Sequence, residues 1–232
     1  MTQILTLPDK ASGRGGPRAS AEPPDPTRAT LSEVWSVRAT AAPVAFVLSA
    51  LARPGPVLWV QDRLSGAEAG RPQGAALRRV WGRDVIHVRA GRAQDLLMAM
   101  EMGLGCPALA AVLGEVWGAV PRLDFTATKR LALRAEASGV PCWLVRHAAE
   151  PGLSAARERW RLASLPSAPD PWDARAPGAP RWRAELFRSR GHRPGTWVAR
   201  HERVGAAHRL DLAPLDGDGA VVAHAGSRRA AR

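Results

Sequence analysis

"RWRAELFRSRGHRPGTWVARHE", residues 181–202, decides how the sheet of this protein ends. In an extended chain Trp182, Ala184 and Leu186 share one side, while Arg183 and Glu185 share the other. "GHRPG" (191–195) interrupts the alternation with turn residues, so the stretch reads as an antiparallel hairpin. "ARERWRLASL" (156–165) has the same period of two, and "HRLDLA" (208–213) adds one more strand.

Toward the N-terminus the pattern changes. Short apolar runs alternate with helical patterns: "LSEVW" (31–35), a helix over 43–52, "PVLWV" (56–60), a helix over 74–80, "DVIHVRA" (84–90), a helix over 93–105, "ALAAVLGEV" (108–116), a helix over 122–139 closed by Gly139, and "PCWLVR" (141–146). "LSEVW" also admits a second reading, with Thr30 and Glu33 as a helix-capping pair. The other apolar runs are too uniform to be half-exposed, which argues for a parallel sheet covered by helices on both faces. The expected architecture is α/β, a mostly parallel three-layer core with antiparallel strands added at the C-terminal end.

Both ends of the chain read differently. Residues 1–28 are rich in Pro, Gly, Ser and charge and read as a disordered arm; residues 214–232 read as a flexible tail. Net charge is +12, with 18 basic against 13 acidic side chains in residues 1–150 and 15 against 8 in residues 151–232. Such an excess attracts polyanions or acidic partners without choosing between them. Of the 33 basic residues only Lys10 and Lys129 are lysine, a bias that GC-rich coding also produces, so arginine abundance alone carries little. Cys106 and Cys142 match no metal spacing and read as reduced thiols. His87, His147, His192, His201, His208 and His224 are scattered away from ligand spacing, so no metal site is expected. No run of 18 apolar residues and no signal-peptide core occur, which points to the cytoplasm.

The succession "LSEVW"–helix–"GPVLWVQDR", followed by "GVPCWLVRH" and "APRWRAELFRSRGHRPG", resembles the RecA-type core, and in particular the ImuA family of RecA-like proteins. The resemblance runs over roughly residues 28–213, and residues 29–213 are taken as one degenerate RecA-like domain. It implies work in SOS-induced mutagenesis and translesion DNA synthesis. It also implies partners: an ImuB-like polymerase adaptor, an error-prone DNA polymerase and RecA, in the cytoplasm at the nucleoid.

The chemistry of a nucleotide site is missing from this frame. A phosphate loop needs G-x-x-x-x-G-K-[ST]: glycines for close backbone approach, lysine for the outer phosphates, a hydroxyl for magnesium. On that template Ser36 and Ala41 replace the glycines, Ala42 the lysine and Pro43 the hydroxyl. Gly114 stands where the magnesium-ordering aspartate belongs, with Glu115 one residue late and so on the other face of the strand. Arg63 stands where a water-positioning carboxylate belongs. Three independent parts are absent together, so no ATPase activity and no cofactor are expected. The connections 117–122 and 147–154 are also too short to hold DNA as the long loops of RecA do.

What remains is basic. Arg181, Arg183, Arg188, Arg190 and Arg193 are candidate partner- or phosphate-binding residues. RecA-type subunits reach a neighbour's ATP with a basic–x–basic pair on a late strand, and Arg188 with Arg190 matches it. A different reading is a single-strand nucleic-acid module built on the arginine strands. Arg157, Arg159 and Arg161 share one face there, but a stacking platform wants aromatics on that same face, and Trp160 points the other way.

Overall fold

The computed structural model describes residues 27–214 except 39, 174, 205 and 206. The arm over 1–28 and the tail over 214–232 therefore lie outside the described residues, apart from Thr27, Arg28 and Pro214.

The chain opens with strand β1 (Leu31–Ser36), all six residues buried. Helix α1 (Ala42–Ala50), β2 (Val57–Asp62), α2 (Arg63–Glu68), α3 (Gly74–Trp81) and β3 (Val85–Ala90) follow. Then come α4 (Ala93–Gly103), β4 (Ala111–Trp117), α5 (Phe125–Ser138) and β5 (Cys142–His147). Four strands finish the described chain: β6 (Glu158–Leu165), β7 (Arg181–Ser189), β8 (Gly195–Val204) and β9 (Ala207–Pro214). They form one nine-stranded sheet in the order β3-β2-β4-β5-β1-β6-β7-β8-β9. Pairing is parallel from β3 to β6 and antiparallel from β6 to β9.

The capping alternative at Thr30 and Glu33 is not realised. Thr30 Oγ1 instead donates to Glu136 Oε1 of α5 (3.1 Å), and Glu33 sits fully buried inside β1. Helix α2 has no counterpart in the sequence reading. It is a single short turn with Gly66 inside it and no apolar period, held by its cap: Ser65 N–H donates to Asp62 Oδ1 (2.6 Å).

Helices cover both faces, giving three layers. On one face α1 and α3 pack over Trp59, Leu113, Trp143, Trp160, Trp182 and Trp197. Helix α1 is apolar nearly all round because it is buried nearly all round. Its Phe46 lies 5.3 Å from Trp160 and 6.2 Å from Trp143, and burying that ring contributes about 1.5–3 kcal/mol. On the other face α4 and α5 pack over Leu58, Val60, Val112, Cys142 and Leu144. Gly139, with φ of 71°, ends α5 in the left-handed region as the sequence predicts.

Two details of the hairpin matter for the site. Trp182 pairs with Ala199 and Ala184 with Trp197, so the two tryptophans are diagonal rather than direct neighbours. Between β6 and β7 the register slips: Arg159 faces Arg188 while Trp160 faces Leu186, leaving Phe187 unopposed. Alternation already sets Phe187 on the face of Arg183 and Glu185, and the bulge brings Arg188 onto that same face opposite Arg159.

Candidate functional site

In open α/β sheets, ligands bind beyond the carboxyl ends of the parallel strands. Here that edge is tied up in its own contacts. Ser36 is buried and its hydroxyl donates to the carbonyl of Arg38. Ala41 is the exposed N-cap of α1, with no side-chain bond. The amides that would greet a phosphate are largely used or missing: Ala42 N–H donates to Thr40 Oγ1 (2.9 Å), and Pro43 has none.

Arg63 opens α2 at the surface. Its neighbour Asp62 caps that helix and also accepts from Trp117 N–H (3.2 Å), stitching the ends of β2 and β4 together. Gly114 faces α4, not the strand ends. A Cβ there would run into the sulfur of buried Met100 and approach Leu144 to 3.1 Å, so any larger residue requires those two side-chain ends to move. Glu115 does take the opposite face, as the one-residue slip predicts. Its Oε2 accepts from Trp59 Nε1 (2.8 Å) and Gln61 Nε2 (2.9 Å), and its Oε1 lies 2.9 Å from His147 Nε2. Beside them Gln61 Oε1 meets His87, whose imidazole is held below its usual pKa by burial and by Arg89.

The other candidates lie on the opposite face, over β5, β1, β6 and β7. Arg157, Arg159 and Arg161 do share it, and each has an acidic partner: Glu136, Glu33 and Glu185 at 2.6, 2.8 and 3.0 Å. Trp160 points away into the core, as expected. The aromatics that sequence reading missed come from neighbouring strands. Arg146 stacks over Trp35 (4.4 Å), Arg159 lies near both Trp35 (5.5 Å) and Phe187 (5.2 Å), and Arg161 stacks on Phe187 (5.0 Å).

This ladder is closed rather than open. Trp35 is 2% exposed, Arg159 3% and Arg146 6%. Glu33, fully buried, anchors it, accepting from Arg159 Nε and from Ser154 Oγ (2.9 Å) with Arg146 at 3.7 Å. Burial lowers the pKa of Arg146 while Glu33 opposes the shift. Glu33 in the middle of the strand segment LSEVW was the one available sequence signal for this cluster, since a charge buried in a strand demands a partner.

The predicted arginines are spread over this face and its ends. Arg181 is committed to structure, donating to the carbonyls of Pro166 (2.8 Å) and Ser167 (3.2 Å). Arg183 and Arg193 are exposed, the first on β7 and the second in the turn before β8. Arg188 is exposed opposite Arg159. Arg190 leaves the strand, its N–H bonded to the carbonyl of Arg157 (3.0 Å).

Arg190 and Arg157 line two adjoining cavities at this end of the sheet, about 500 and 220 Å³. Glu136 is pulled below the usual carboxylate range chiefly by its hydrogen bond from Arg157, and Arg157 is raised by the same bond. Among the described residues no group of acidic, histidine and cysteine side chains is arranged to hold a metal, and no helix is long and apolar enough to cross a membrane.

The fold and these sites define a three-layer α/β protein in which the Ser36 hydroxyl and the first amide of α1 are bonded within the chain and basic groups gather at the flank of the antiparallel strands. No family model matches the chain. Over 206 residues it is 34% identical to Protein ImuA of Caulobacter vibrioides strain NA1000 / CB15N, an alignment covering 82% of this chain and 80% of that protein. Protein ImuA of strain ATCC 19089 / CIP 103742 / CB 15 matches to the same extent. The chain belongs to the ImuA family.

Proposed function

We propose that this chain is a non-catalytic accessory protein of SOS mutagenesis and translesion DNA synthesis. It works on a degenerate RecA-like core by holding protein partners: an ImuB-like polymerase adaptor, an error-prone DNA polymerase and RecA. Membership of the ImuA family supports the biological setting. The observation that carries the non-catalytic reading is the start of α1. Its first amide is satisfied by Thr40, its second position is Pro43, and no lysine or glycine loop precedes it. Gly114 and Arg63 support the same reading, because a carboxylate at the first would collide with Met100 and the second offers the wrong charge.

The test is co-purification of the tagged full chain with the adaptor and polymerase from damage-treated cells, beside the mutation frequency of a deletion strain. Partner recovery with a fall in damage-induced mutation is expected. A chain that recovers none of these partners, with mutation unchanged, refutes the reading. Direct single-strand binding has less support, because Trp35 and the arginines stacked on it face inward and are paired. An oligonucleotide titration across a salt series separates the two readings: affinity that survives near physiological salt without any protein partner favours direct binding.

A further inference from the structure

The two cavities share Arg157 and Arg190 as walls and run together as one groove. One end is lined by Arg28, Glu136, Glu158 and Arg190; the other by Phe125, Lys129, Leu133 and Arg157. Phe125, Lys129 and Leu133 lie four residues apart on α5, so they line one ridge of that helix. Phe125 is 40% exposed and Leu133 50%, large apolar groups left in water beside a row of cations. Arg157 is bonded to Glu136. Among the described residues no ion pair is formed by Arg28, Lys129 or Arg190.

We propose that this groove docks an acidic segment of a partner protein, anchored by apolar side chains against Phe125 and Leu133, with its carboxylates on Lys129, Arg190 and Arg28. The proposal rests on the partner-binding reading above and gives it a surface. Charge complementarity selects the occupant. Four cations line the groove, Arg28, Lys129, Arg157 and Arg190, against two carboxylates, Glu136 and Glu158. The net field attracts an acidic chain. A nucleic-acid strand brings phosphates and a base that can stack on Phe125, but its backbone offers no N–H to Glu136 and no aliphatic side chain to Leu133, so oligo-dT is the control that separates the two. A peptide has both apolar side chains and backbone N–H groups to offer. The chain's own residues 1–26 do not match: Asp9, Glu22 and Asp25 are balanced by Lys10, Arg14 and Arg18.

The experiment uses the purified full chain and fluorescence anisotropy. The probe is a labelled amphipathic peptide rich in Asp and Glu with Leu and Phe at helical spacing. Its controls are the same peptide with Lys in place of the acids, and labelled oligo-dT. Saturable binding of the acidic peptide alone is expected. Lys129→Glu or Arg190→Glu should each weaken it about ten-fold or more, and Leu133→Ser several-fold. All three side chains are exposed, and melting curves verify that the variants stay folded.

Three results overturn the proposal: no saturable binding of the acidic peptide, binding unaffected by the three variants, or oligo-dT taking the groove with the same variant sensitivity. A deletion of residues 1–26 that opens an otherwise absent peptide site also overturns it, because the groove is then filled by this chain. Co-purification of the wild-type chain with its translesion partners is scored separately. A chain that keeps those partners yet fails the peptide test overturns the groove and leaves the functional reading standing.

Discussion

Replacing Glu33 by alanine tests the buried cluster at the middle of the sheet. The carboxylate is fully buried on the central strand, accepts from Arg159 and Ser154, and faces Arg146. Removing it leaves two guanidinium groups, 3% and 6% exposed, with no counter-charge in contact. Arg146 Nε and Arg159 Nη2 already lack a hydrogen-bond partner, so nothing nearby is poised to take over. Breaking a buried pair in this way costs about 3–5 kcal/mol. For a domain of this size each kcal/mol moves the midpoint by about 2–4 °C, so Glu33→Ala should melt about 6–20 °C below wild type.

Glu33→Gln keeps the shape and one acceptor but loses the charge, and should fall in between. The assay is thermal and urea unfolding of the four proteins of a cycle: wild type, Glu33→Ala, Arg159→Met and the double variant. Much of the cost of Glu33→Ala should vanish in the Arg159→Met background, because one stranded charge is gone. A Glu33→Ala protein melting within about 2 °C of wild type, or strictly additive effects, refutes the reasoning.

Other expectations follow from the same geometry. Gly114→Ala should destabilise by about 1–3 kcal/mol through overpacking against Met100, and Gly114→Asp by more, with no gain of ATP turnover in a phosphate-release assay. Glu115→Ala strands Trp59, Gln61 and His147; at about 1–3 kcal/mol for each orphaned group it should be among the most damaging single changes by urea unfolding. Glu136 has its pKa lowered in the folded chain, so its contribution is present above the ordinary carboxylate value and is lost as acid titrates it. Stability should therefore fall below about pH 4.3, and Glu136→Gln should flatten that limb of the pH–stability curve.

The sheet was legible wherever one period ruled a segment. The tryptophan and arginine alternation of 181–202 returned as β7 and β8, and the apolar runs returned as buried parallel strands except 84–90, whose strand β3 lies at the sheet edge and is half-exposed. Helix α2 was not legible, because a capped turn of six residues shows no period. The surroundings of Gly114 were not legible, because they need α4 overhead. The arginine face was half legible. Periodicity put Arg157, Arg159 and Arg161 together and set Phe187 beside Arg183 and Glu185, yet which strands lie side by side, so that Trp35, Glu33 and Phe187 reach those arginines, is a relation no linear spacing encodes.

On the proposed function, this protein acts through partners and not through bound nucleotide. Titrating magnesium-ATP into the purified chain while following its melting temperature tests it most directly. A saturating ligand at a hundred times its Kd adds about 2.7 kcal/mol, or roughly 5–11 °C here, well within reach of the measurement. On the proposed function no shift is expected at any concentration. A saturable rise abolished by changes at Ser36–Pro43 would contradict it.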